Sequence, residues 1–215
     1  MTTIKTFTFN AFQVNTYLVF DESRECLIID PGCYEPKEEA VLADFIQKQQ
    51  LSVKGILYTH CHIDHVLGNN FVIKQYGHLT QMHADCLPFL EGSTEYGKMF
   101  GFDTETPVLP SKFIVEDEII TYGNHQLRSI HTPGHAAGSL CFYNEKEGFV
   151  IVGDVLFSGS IGRTDLPTGD YELLISSITD KLMSLPDHVK VYPGHGPSTT
   201  IGQERASNPF LTQLR

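Results

Sequence analysis

The sequence lacks any apolar run long enough to span a bilayer, which takes about 20 residues. Its first ten residues, MTTIKTFTFN, hold neither an apolar core nor a cleavage-like site, so neither a membrane anchor nor a secretory leader is expected. Cysteine is sparse and unpatterned. Cys26, Cys33, Cys61, Cys86 and Cys141 are odd in number and none forms a Cys-x-x-Cys pair. A disulfide framework is therefore not expected, and a reducing compartment, the cytoplasm, is. Positive charge is short as well: 15 Lys and Arg face 26 Asp and Glu, a formal net charge of −11. That balance repels a phosphate backbone and argues against a general nucleic-acid binder. An anionic small substrate stays open, because a bound metal inverts the local field. Low-complexity segments and short-period repeats are absent too. What is present is an ordinary globular mixture, 41% hydrophobic and 19% charged over 215 residues, suited to one domain covering residues 1–215.

The order of local patterns is strand-rich, then mixed, twice over. IKTFTF (4–9), NTYLVF (15–20) and CLIID (26–30) are dense in β-branched, aromatic and aliphatic residues and read as strands. Asp30-Pro31-Gly32 ends the third in a turn. Residues 36–50 read as an amphipathic helix with Pro36 in its first turn and Val41, Leu42, Phe45 and Ile46 on one face. A strand over 53–59 and a helix over 67–76 follow. Residues 91–112, rich in Gly, Pro and charge, read as a long loop or partly helical lid carrying Tyr96, Phe100 and Phe102. Strands resume between 112 and 132 and continue in SLCFYN and FVIVGD. A helix over 171–185 and a strand over 189–194 close the pattern. Two sheets packed face to face with helices outside satisfy this order.

The densest chemistry is Thr59-His60-Cys61-His62-Ile63-Asp64-His65, directly after a predicted strand. Imidazole and carboxylate suit zinc and related ions. His60 and His62, two apart in extended backbone, point to one side, which turns Cys61 away. Asp64 and His65 follow the start of a turn and can face a second point nearby. Three His and one Asp packed into six residues are costly to bury unless a metal neutralises them. His135 in Thr-Pro-Gly-His, Asp154 in Gly-Asp and His195 in Pro-Gly-His-Gly repeat one arrangement, an apolar strand running into a turn that bears a ligand-type side chain. Asp30 is a candidate to orient an imidazole from behind or to serve the turn alone. His131 reads as structural or as support for a ligand. His78, His83, His125 and His188 read as isolated surface residues.

This set resembles the metallo-β-lactamase superfamily, whose signature is His-x-His-x-Asp-His followed by distant His, Asp and His. The resemblance runs from the Asp-Pro-Gly turn at 30–32 to Pro-Gly-His-Gly at 193–196. It implies an α/β fold, an αββα sandwich of two mixed sheets flanked by helices, with the site at one edge. It further implies one metal on His60, His62 and His135, a second on Asp64, His65 and His195, and Asp154 between them. Two divalent ions are expected, zinc foremost, with iron or manganese as alternatives. Asp64 and Asp154 are then catalytic as well as ligands. Two such metals about 3.5–4 Å apart lower the pKa of a shared water, so a metal-bound hydroxide attacking a carbonyl is the expected chemistry.

Gly162-Arg163-Thr164-Asp165 looks like a segment of glyoxalase II-like proteins and of persulfide dioxygenases. The resemblance makes Arg163 a candidate to hold a substrate carboxylate by a bidentate pair; a structural ion pair with Asp165 is the plainer role. Asp165 departs from the tyrosine of longer glyoxalase II enzymes, and only 20 residues follow His195, too few for their C-terminal helical domain. The implied activity is hydrolysis of a small acyl thioester such as S-lactoylglutathione by a short glyoxalase II-like enzyme. The alternatives are a mononuclear-iron persulfide dioxygenase, a lactonase or β-lactamase-like hydrolase, and a non-catalytic metal-stabilised scaffold.

Overall fold

The computed structural model describes residues 1–212. The chain opens with β1 (Thr3–Phe9), β2 (Val14–Phe20), β3 (Glu25–Ile29), helix α1 (Pro36–Lys48) and β4 (Ser52–Leu57). Short helices α2 (Ile63–Val66) and α3 (Asn69–Tyr76) precede β5 (Thr80–Met82). Helices α4 (Leu87–Glu91) and α5 (Ser93–Lys98) then lead to β6 (Lys112–Phe113). The second half runs β7 (Ile119–Tyr122), β8 (His125–His131), β9 (Leu140–Asn144), β10 (Phe149–Gly153) and the small hairpin β11 (Leu156–Phe157) and β12 (Ser160–Ile161). Helix α6 (Tyr171–Ser176) continues through a wider π-helical stretch (Ser177–Leu182) to β13 (Lys190–Pro193), β14 (Thr199–Thr200), α7 (Ile201–Ser207) and α8 (Pro209–Thr212).

Two six-stranded sheets result, ordered β1-β2-β3-β4-β5-β6 and β14-β13-β10-β9-β8-β7. Both are mixed. β1, β2 and β3 pair antiparallel and β3 to β6 parallel, whereas in the second sheet only β10 and β13 run parallel. Successive side chains of a strand point to opposite faces, and the burial follows that alternation. Tyr17, Val19, Leu27, Ile29 and Leu57 face Leu140, Phe142 and Ile151 between the sheets. Leu18, Ile28 and Ile56 turn outward to meet Leu42 and Ile46 of α1. Cys141, Val150 and Val152 turn outward to meet Leu174, Ile175, Ile178 and Leu182. Three apolar layers between four layers of structure make the αββα sandwich expected from the sequence.

Some local expectations change. On α1, Leu42 and Ile46 are buried but Val41 is half exposed, because a helix that covers a sheet buries only the stripe pointing at it. The segment 91–112 is partly helical through α5 and irregular beyond it. Its aromatics anchor it to the β1–β2 turn: Phe100 and Phe102 pack on Phe12 at ring separations of 5.4 and 5.8 Å, and Tyr96 packs on Phe100 at 5.2 Å. His125 is not a surface residue. It is buried between Asp21 and Glu147, with ring nitrogens 3.8 and 3.4 Å from their carboxylates. His78 and His188 are exposed. No helix among the described residues is long and apolar enough to cross a membrane.

All five cysteines are free and buried, and burial pushes the Cys26 and Cys141 thiols up to about 12. The thiolate is the reactive form. Native protein at neutral pH should therefore leave its thiols largely unmodified by a disulfide reagent over minutes, and all five should react once guanidinium unfolds the chain. Rapid native modification of more than one thiol would contradict this packing.

Candidate functional site

The sandwich ends in loops along one edge, and these loops are tied to one another. The Thr59 carbonyl beyond β4 accepts from Leu140 N–H of the opposite sheet at 2.7 Å. Gly194 donates its N–H to the Gly153 carbonyl, and its own carbonyl accepts from Asn15 N–H, both at 2.7 Å. Asn15 also donates through Nδ2 to the Pro193 and Gly196 carbonyls, and Tyr17 donates its hydroxyl to Pro193 at 2.6 Å. The edges of the two sheets thus hold the turns that bear His60 to His65, Asp154 and His195 in one place.

Seven side chains converge there. Around one point lie His60 Nε2, His62 Nδ1 and His135 Nε2, separated by 3.1, 3.0 and 3.3 Å. Around a neighbouring point lie His65 Nε2, 3.6 Å from Asp64 Oδ2, and His195 Nε2, 3.1 Å from the same carboxylate oxygen. Asp154 reaches both groups. Its Oδ1 is 3.5 Å from His65 Nε2, and its Oδ2 is 3.8 Å from His135 Nε2 and 3.5 Å from His195 Nε2. His60, His62, Asp64, His65 and His135 are buried, and His195 is the most open of the set.

Backbone and side-chain acceptors fix the far side of the rings. His135 Nδ1 donates to the Arg163 carbonyl at 2.8 Å and His195 Nδ1 to the Phe12 carbonyl at 3.0 Å, which leaves each Nε2 lone pair facing inward. His65 Nδ1 donates to Asp30 Oδ2 at 3.0 Å. Thr59 donates its hydroxyl to the same oxygen at 2.6 Å and its N–H to Oδ1 at 2.7 Å. The Thr59 hydroxyl oxygen lies 3.1 Å from His60 Nδ1, so Asp30 orients one ring directly and another through Thr59. Asp30 is fully buried with φ of 51°, a left-handed conformation that Asp tolerates better than most residues. Glycine serves close approach at two positions. A Cβ on Gly194 would overlap Asp154 Oδ1, and one on Gly153 would overlap the Thr59 hydroxyl.

The protonation pattern is polarised. Burial first, then the neighbouring imidazoles, depresses His60 well below its usual range and His62 to about 3. Burial opposes charge on His65 too, but Asp64, Asp154 and Asp30 outweigh it and hold that imidazole protonated. Burial likewise raises Asp154, yet His65, His195 and His135 hold its carboxyl well below the usual carboxylate range. One half of the cluster is a set of neutral lone pairs facing one another, and the other is carboxylates held together by a proton. His62 Nε2, His65 Nε2 and Asp154 Oδ1 are buried without a hydrogen-bond partner. Of these, His65 Nε2 and Asp154 Oδ1 face the second point; buried polar atoms are rarely left so, and a cation there would satisfy them, as one at the first point would the facing lone pairs of His60 Nε2, His62 Nδ1 and His135 Nε2. The donor set of imidazole and carboxylate fits divalent first-row ions. His60, His62 and His135, and Asp64, His65 and His195, each form a group able to hold one.

A family model of the metallo-beta-lactamase superfamily matches residues 9–195. The chain belongs to that superfamily. It is 40% identical over 207 residues, 94% of either chain, to the hydroxyacylglutathione hydrolase GloC of Haemophilus influenzae. Among solved structures it resembles TTHA1623 in a di-iron-bound form, with a TM-score of 0.87 and 36% identity over 96% of this chain and 100% of that one. It also resembles the BLEG-1 B3 metallo-beta-lactamase, with a TM-score of 0.86 and 35% identity over 98% of this chain and 100% of that one. The superfamily assignment places the chain among metallo-hydrolases.

Other sequence candidates fall in several places. Cys61 turns to the outer core, its sulfur 3.6 Å from that of Met82. Arg163 Nε and Nη2 pair with both carboxylate oxygens of Asp165 at 2.7 and 2.6 Å on the exposed rim. Its backbone carbonyl, not its side chain, touches the cluster. That carbonyl and the one of Phe12 escape sequence reasoning, because every residue has a carbonyl and only the fold aims it.

Asp30→Asn separates hydrogen bonding from backbone strain, since Asn also accepts a left-handed φ. The amide presents a donor where a carboxylate oxygen now accepts from Thr59 and His65, so the variant should lose about 1–3 kcal/mol. Urea denaturation of metal-free protein measures this, and an unchanged midpoint would remove Asp30 from the account.

Proposed function

We propose that the chain is a metal-dependent thioester hydrolase of glyoxalase II type, acting on S-lactoylglutathione or a similar small acyl thioester. The observation that carries the reading is the convergence of seven imidazole and carboxylate side chains on two adjacent points, with inward-facing atoms left unpartnered. The 40% identity to a hydroxyacylglutathione hydrolase over nearly the whole chain narrows the substrate class.

In this reading His60, His62 and His135 hold one ion, Asp64, His65 and His195 a second, and Asp154 serves both. Zinc is the proposed ion, with iron or manganese as alternatives; the di-iron form of a structural relative keeps iron in view. Bound there, two divalent ions supply a Lewis acid and lower the pKa of water towards 7. The chain's own residues supply the rest. Asp30, Thr59 and the carbonyls of Phe12 and Arg163 hold the rings so that each lone pair points inward, which raises ligand basicity and fixes direction. Asp64 and Asp154 stay ionised, lowering the net charge of the loaded site and offering acceptors for a proton released during hydrolysis. Phe12, whose carbonyl holds His195, and Phe100 packed on its ring are both exposed and give the acyl or thiol portion an apolar wall.

Arg163 is the proposed carboxylate-binding residue. An exposed ion pair contributes only about 0–1 kcal/mol, so a substrate carboxylate can displace Asp165 from the guanidinium at little cost.

Purified protein loaded with zinc, iron or manganese should release thiol from S-lactoylglutathione, and His135→Ala or Asp154→Ala should abolish that release. Intact thioester with every metal would sink the hydrolase reading. Oxygen uptake on glutathione persulfide by protein carrying one iron would replace it with a dioxygenase.

Arg163→Ala should raise KM for S-lactoylglutathione roughly ten-fold, as expected for loss of a charged hydrogen bond. It should leave a carboxylate-free thioester unaffected, and Asp165→Asn should lower KM for the glutathione thioester. Equal effects on both substrates would assign Arg163 a structural role.

A further inference from the structure

The hairpin β11–β12 lies between Asp154 and Arg163 and forms a two-stranded sheet of its own. Its ladder consists of Leu156 opposite Ile161 and Phe157 opposite Ser160. A lone hairpin is marginal in water, so contacts outside it must fix where it sits. Its base is fixed by the core and by the donor cluster. Leu156 and Ile161 are buried, and a Cβ on Gly162 would overlap the Asp154 carbonyl and crowd His135 Cβ at 3.1 Å. Beside the tip, the Phe157 ring has its centroid 6.5 Å from that of His195, the most open of the donors.

The tip is held from the far end of the chain. Glu204 on α7 is fully buried. Its Oε2 accepts the Gly159 N–H at 2.9 Å and Asn208 Nδ2 at 2.8 Å, and its Oε1 accepts the Thr199 hydroxyl at 2.6 Å. Asn208, fully buried as well, donates from the same Nδ2 to the Ser160 carbonyl at 3.0 Å. Thr199 lies four residues beyond His195 and pairs with Val191 of β13. One carboxylate thus ties the hairpin tip to the segment that follows His195. A buried carboxylate is costly unless hydrogen-bonded. Donors from three segments meet this one, so a shifted tip would leave buried polar groups unpaired.

We propose that Glu204 is a positioning residue for the candidate centre: by gripping Gly159 it sets the β11–β12 hairpin so that Phe157 forms a second apolar flank beside His195 for the acyl or thiol portion of the substrate. The substrate half of this inference rests on the thioester-hydrolase reading; the anchoring of the hairpin does not. Glu204 acts through Gly159 and Asn208, not on the reacting atoms. Arg163 depends on it less, because its own carbonyl is pinned by His135 and the Gly162 N–H donates to the Val155 carbonyl at 3.2 Å.

Two measurements on the full chain test this. By NMR, the Gly159 amide of wild type should exchange with solvent roughly ten-fold or more slowly than in the unfolded chain, although Gly159 sits in an exposed turn. Glu204→Ala should abolish that protection. Glu204→Gln should keep it, since one oxygen still accepts both N–H groups and the new amide can donate to the Thr199 hydroxyl oxygen. In metal-loaded protein, Glu204→Ala should raise KM roughly five-fold, the scale of losing a buried methylene or two, with kcat little changed. The rise should be equal for S-lactoylglutathione and a carboxylate-free thioester, unlike that of Arg163→Ala. Glu204→Gln should restore most of the affinity. In Phe157→Ala protein, Glu204→Ala should add less than about two-fold, as for residues acting as one unit. Lost stability alone would shrink the active fraction, lowering kcat without moving KM. An unprotected Gly159 amide in wild type, protection that survives Glu204→Ala, or a KM effect undiminished beside Phe157→Ala overturns the proposal. The wild-type exchange decides the anchor even if Glu204→Ala fails to fold. Wild type that leaves the thioester intact would sink the hydrolase reading instead, with the exchange data still deciding the role of Glu204 in the hairpin.

Discussion

Everything along the working edge of this molecule answers to one electrostatic constraint: imidazole lone pairs and carboxylates are buried facing one another. In a low-dielectric setting such an arrangement is costly without positive charge at its centre. The cluster bears that cost in two ways. His60 and His62 stay neutral, depressed by burial, whereas His65 keeps a proton between three carboxylates. His65 Nε2 and Asp154 Oδ1 are nevertheless buried there without hydrogen-bond partners. Divalent ions would relieve both halves together, which is why the geometry and the proposed chemistry are hard to separate.

Holding seven such groups together demands rigidity, and the sandwich supplies it by crossing the sheets at their ends. Thr59 belongs to the first sheet's edge yet accepts from Leu140 of the second, and the turn at 193–196 is gripped by Asn15 and Tyr17 from across the interface. Asp30 is one of the supports. It sits in a left-handed conformation, fully buried, and spends its two oxygens on Thr59 and His65. The apolar layers beneath, built from Leu27, Ile29, Leu57, Phe142 and Ile151, keep the two edges from sliding.

At the rim the constraints relax. Arg163 and Asp165 satisfy each other in solvent, and Phe12 shares its ring with the loop beyond α5 while its carbonyl steadies His195. One residue thus links the aromatic cluster to the donor set. The His83–His131 stack is a further contact between the ends of the two sheets.

The sequence by itself determined the strands, through runs such as NTYLVF and FVIVGD, and the donor types, through His-Cys-His-Ile-Asp-His and the three later turns. These are local properties, carried by residue identity and by spacings of two. It did not determine which histidines have company. His125 and His83 look solitary along the chain, and only the packing of sheet against sheet gives them Asp21, Glu147 and His131 as neighbours. Nor could it reveal that Arg163 supports His135 with its carbonyl while its guanidinium faces Asp165. Backbone groups are chemically alike at every position, so their roles exist only once tertiary structure has aimed them.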